Sequence, residues 1–189
     1  ITRQQPPSPL GFVLSKDVLV TIRYTQLRSF DAAAAKFSAP GGPTDGIGAF
    51  TAIIDAMVDL SADLLEQIGA ELDELSRDIF PRRGRRGRRQ SPSNEALRGV
   101  LTDIGSVGER ASRIRDILLG LQRIVPFVAA PGRGWIPPQT QDHLKTAQTD
   151  IVSLADQYDP CMWAGATVGS RHEPLAAWGL AGPVAAHAA

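Results

Sequence analysis

Apolar residues recur along this chain with two kinds of spacing, and each predicts a different element. Between Leu10 and Leu14 nearly every position is apolar, Ser15-Lys16-Asp17 supplies turn chemistry, and Val18-Leu19-Val20-Thr21-Ile22 follows, rich in β-branched residues. This predicts a β-hairpin over Leu10–Tyr24. Two strands alone are marginal in water, so a helix must cover them or further strands must join them. No other segment reads convincingly as strand. Ser29 or Asp31 is expected to cap a short helix that runs through Phe37, because Ala32 to Ala35 favour helix and Pro40-Gly41-Gly42-Pro43 stops it.

The remaining periodicity is helical. From Gly48 to Phe80, the residues Ile54, Val58, Ser61, Leu65, Ile68, Leu72, Leu75 and Ile79 alternate spacings of four and three. That is a heptad seam with one polar break, at Ser61, closed by Pro81. From Asn94 to Ala130, Leu97, Val100, Ile104, Val107, Ala111, Ile114, Leu118, Leu121 and Val125 form a second seam of similar length, which Pro126 is expected to end or kink. Gly99, Gly105, Gly108 and Gly120 lie inside it, each costing about 1 kcal/mol relative to Ala, so packing must offset them. A third helix follows Pro137-Pro138 with Thr140, Leu144, Ala147, Ile151, Leu154 and Tyr158 on its seam.

These elements define an α+β, helix-dominated fold: a remnant β-hairpin or sheet edge, an antiparallel pair of long helices, and a third helix. The expected divisions are a linker or disordered segment at 1–9, the hairpin and short helix at 10–45, the helix pair at 46–136 with an arginine-rich loop at 81–93, the third helix at 137–158, and an atypical tail at 159–189. The tail is rich in Gly, Ala, Trp and Pro and has no period. A shifted reading frame after about Asp156 would explain such an ending. The first residue is not Met and no apolar leader precedes the hairpin, so the chain reads as processed, trimmed or part of something longer.

Composition narrows the function classes. The 189 residues carry 20 basic and 20 acidic side chains, so net charge argues for no particular polyanionic partner. One cysteine, Cys161, excludes an internal disulfide and a Cys-rich metal site. No apolar run approaches the ~18 residues a membrane helix needs. His143, His172 and His187 lack the spacing of a helical zinc pair, and neither a phosphate loop nor a nucleophile elbow is present. The chain is not read as an enzyme, and no tightly bound cofactor is expected.

Charge is nevertheless unevenly placed. Between Gly46 and Phe80 there are eight acids and one base, a net of −7. Asp55, Asp59, Asp63 and Glu66 fall within about 80° of one another on a helix. A carboxylate stripe is a hard-oxygen surface that binds Mg²⁺ or another divalent cation weakly, through water; it is also what the solvated face of an amphipathic helix looks like. Arg82, Arg83, Arg85, Arg86, Arg88 and Arg89 follow directly. No aromatic residues interleave with them, so a solvated loop is favoured over a nucleic-acid or anionic-lipid contact.

The order of these parts carries a resemblance. The segment Leu19-Val20-Thr21-Ile22-Arg23-Tyr24 is followed by Phe30. Ile53-Ile54-Asp55-Ala56-Met57-Val58-Asp59 then runs into Leu64-Leu65-Glu66-Gln67-Ile68 and Glu71-Leu72-Asp73-Glu74-Leu75. The second long helix ends in Leu121-Gln122-Arg123-Ile124-Val125-Pro126, and Asp142-His143 opens the third. From Leu10 to Asp156 this resembles the cytoplasmic domain of the CorA family of divalent-cation transporters.

The resemblance implies an α/β domain carrying an antiparallel helix pair, a stalk helix leading toward the membrane, and assembly as a homopentamer around a pore. It implies divalent cations as partners, Mg²⁺ or Co²⁺ first, with a zinc branch not distinguishable from these residues. The pore signature Gly-Met-Asn and both membrane helices are absent from this sequence, and by the resemblance the first part of the family's sheet is expected to be missing. The expected role is therefore the cytoplasmic, regulatory part of a transporter of the inner or plasma membrane, itself lacking the pore and reaching the membrane only through missing helices. Stalk acids bind regulatory cations in the family, which makes Asp142 and Asp150 metal candidates beside the surface formed by Asp55, Asp59, Asp63 and Glu66. The alternatives are a helical scaffold or adaptor that binds partner helices and, less favoured, a nucleic-acid module using the arginine loop.

Overall fold

The computed structural model describes residues 8–79, 94–130 and 134–157. The expectations for residues 1–7, the arginine loop at 82–89, Tyr158, Cys161, His172, His187 and the tail lie outside the described residues. Two strands and four helices follow in order: β1 (Leu10–Leu14), β2 (Leu19–Arg23), α1 (Arg28–Phe37), α2 (Gly46–Ile79), α3 (Asn94–Ala129) and α4 (Pro138–Gln157). This is the helix-dominated α+β architecture read from the sequence.

β1 and β2 pair antiparallel, with Leu14 opposite Leu19, Val13 opposite Val20 and Phe12 opposite Thr21. Ser15 closes the turn twice: its backbone N–H donates to the Val18 carbonyl at 2.9 Å, and its Oγ accepts from the Val18 N–H at 3.2 Å. Helices cover one face of this hairpin. Phe12 meets Phe50 of α2 edge-to-face at 5.5 Å between ring centroids, and the Arg23 guanidinium sits 4.6 Å above the Phe30 ring of α1. Gly46 is where the hairpin turn touches α2. A Cβ there would come within 2.7–2.8 Å of the Ser15 and Val18 backbone, so only glycine permits the approach.

Caps depart from the expected pattern. Neither Ser29 nor Asp31 caps α1. Both lie inside it; Leu27 occupies the N-cap position without a side-chain hydrogen bond, and Ser29 is buried instead. α2 begins two residues earlier than its periodicity suggests. Asp45 Oδ1 accepts the Gly48 N–H at 2.8 Å, the geometry of an N-cap. α3 runs through Pro126 to Ala129 rather than ending there. The proline removes one hydrogen bond, but Val125 and Val128 on either side are buried and hold the last turn in the core.

The seams form the main core. Ile54, Leu65 and Ile68 of α2 meet Val107, Ala111, Ile114, Leu118, Leu121 and Val125 of α3, and Leu144, Ala147, Ile151 and Ala155 of α4 close the third side. Ser61 does not break the seam. It is buried, and its Oγ donates to the Met57 carbonyl at 2.7 Å, one turn back. A smaller cluster of Phe30, Ala33, Ile53 and Ala56 joins α1 to α2. Gly99, Gly105, Gly108 and Gly120 face open space, so their cost is offset by the seam and by no close contact of their own. Along its described length α4 lies against the α2–α3 pair. Among the described residues no helix is long and apolar enough to cross a membrane.

Candidate cation-binding surface

Heptad packing sets which acids of α2 meet another element. Residues flanking a seam point to the sides of the contact, within reach of the neighbouring helix. Asp55 follows the fully buried Ile54 and lies beside α4. There His143 places Nε2 at 2.9 and 3.0 Å from its two carboxylate oxygens. This pair joins residues 88 positions apart and fastens the first turns of α4 to α2. Asp59, one turn on, faces α1 and lies 3.8 Å from Lys36 Nζ. The long helices are tied further out by Glu71, which receives both terminal nitrogens of Arg110 on α3.

The acids singled out from the sequence therefore divide. Asp55 and Asp59 are engaged by His143 and Lys36 of other elements, and Asp142 accepts from Lys145 Nζ at 2.8 Å, three residues along its own helix. Asp63, Glu66 and Asp150 have no hydrogen bond or ion pair among the described residues. No group of three or more His, Cys, Asp or Glu side chains among the described residues is gathered closely enough to hold a metal ion. What the arrangement offers chemically is open carboxylates on a hydrated surface. Such groups attract a divalent ion that keeps most of its water, without stripping and caging it.

Sequence reading did not foresee the His143–Asp55 and Arg110–Glu71 links. The only signal for either was heptad arithmetic, which places His143 directly before the seam residue Leu144 and Asp55 directly after Ile54.

Comparison with known proteins agrees with this order of elements. The sequence model of the CorA-like Mg²⁺ transporter protein family matches residues 2–162, a span that contains every strand and helix described above. The magnesium transport protein CorA of Campylobacter jejuni (strain RM1221) is 28% identical over 146 residues, covering 77% of this chain and 41% of the relative. The magnesium transport protein CorA of Wolinella succinogenes is 26% identical over the same shares. This chain thus spans about two fifths of the length of the curated relatives it matches. With the match running unbroken from before the hairpin to beyond α4, the chain belongs to the CorA-like Mg²⁺ transporter family.

Proposed function

We propose that this chain is the water-exposed, cation-responsive part of a CorA-like divalent-cation transporter, positioned on the cytoplasmic side of the membrane. In this reading, conduction is left to pore-forming helices of the assembled, pentameric protein. The observation that carries it is the family match over residues 2–162, which takes in the hairpin, the long helix pair and α4 together. The names of the relatives support magnesium as the cargo of the whole transporter.

The acidic side of α2 supplies the physical route to cation response. Asp63 lies eight residues after Asp55, and Asp150 seven after His143. Heptad register returns the unpaired Asp150 to the side where α4 touches α2, one repeat on, while the unpaired Asp63 falls one position past the equivalent of Asp55, on the exposed side of α2. Glu66 follows one helical turn after Asp63. Mutual repulsion between carboxylates is relieved when a hydrated divalent ion settles among them, and the docking of α4 on α2 is tightened. Nothing in this role requires bond-making chemistry, in keeping with a protein that is not an enzyme.

Thermal unfolding with added MgCl₂ or CoCl₂, against NaCl at matched ionic strength, tests the proposal. An ion at ten times its dissociation constant adds about 1.4 kcal/mol, a rise of about 3–5 °C for a chain of this size. Loss of that rise in an Asp63→Asn, Glu66→Gln, Asp150→Asn triple variant is the expected companion result. No rise at 10–20 mM of either ion would count against cation response and leave a helical scaffold as the better reading of the same seams.

A further inference from the structure

We draw no further inference here: the strongest candidate, the exposed apolar face of the β1–β2 hairpin formed by Val13, Val18, Val20 and Ile22, carries nothing because, in a chain that spans about two fifths of the length of its relatives, nothing in the structure shows what covers it.

Discussion

In the first half of α2, Asp55 is held by His143 of α4 and Asp59 lies beside Lys36 of α1, while Phe50 and Ile53 support the hairpin and α1. In the second half, Glu71 is held by Arg110 of α3, but Asp63 and Glu66 have no partner among the described residues, and Leu72 and Leu75 are only half-buried. Both halves carry the same heptad seam, with two carboxylates in the first half and six in the second. What also differs is the number of elements that pack against them. Where a third or fourth element lies alongside, an acid becomes a docking point. Where fewer do, as at Asp63 and Glu66, the acid keeps its water, and it is these acids that the proposed function offers to a cation.

Core substitutions open the largest gap between the halves. Ile54→Ala empties a fully buried position shared by several elements and is expected to cost about 2–5 kcal/mol. Leu72→Ala, in the half-buried stretch, should cost about 1–2 kcal/mol, since less apolar surface is removed from the core. Urea unfolding of both variants measures the difference, and equal losses would break the comparison. Next comes Gly46→Ala, which drives a methyl group into the hairpin turn. Overpacking of this kind costs about 1–3 kcal/mol. Hydrogen exchange should show the loss concentrated in β1 and β2, with α3 and α4 little changed.

Smaller effects sharpen the picture. Gly105→Ala and Gly108→Ala meet no neighbour and should each stabilise the chain by about 0.5–1 kcal/mol, read as a higher unfolding midpoint. His143→Gln or Asp55→Asn should cost about 0.2–1 kcal/mol, because the pair is partly exposed and screened by salt. Asp63→Asn and Glu66→Gln, which lose no partner, should stay within about 0.5 kcal/mol of the parent. A double-mutant cycle on residues 55 and 143 isolates the coupling.

Much of the fold was legible because spacing alone determines a seam. Leu65, Ile68, Val107, Leu118, Leu144 and Ile151 are buried where their heptads put them. The errors arose where a local rule competed with packing. Ser29 and Asp31 have the chemistry of caps, but Phe30 and Ala33 must face α2, and that rotation draws Ser29 inside α1. Pro126 has the chemistry of a stop, but Val125 and Val128 are worth more buried than the one hydrogen bond it removes. The surface was less legible. The acidic stripe could be seen in the sequence, but which of its members would be engaged depended on α1 and α4 reaching it from 23 and 88 residues away. Heptad register limits such pairings without selecting one.

The division of α2 into engaged and available acids is tested most directly by backbone-amide NMR during titration with Mn²⁺, a paramagnetic stand-in for Mg²⁺. The expected result is loss of signal first around Asp63, Glu66 and Asp150, reversed by excess Mg²⁺, with amides near Asp55 and Asp59 affected later. Broadening that begins at Asp55 and Asp59, or spreads evenly over every exposed acid including Asp17 and Asp31, would contradict it.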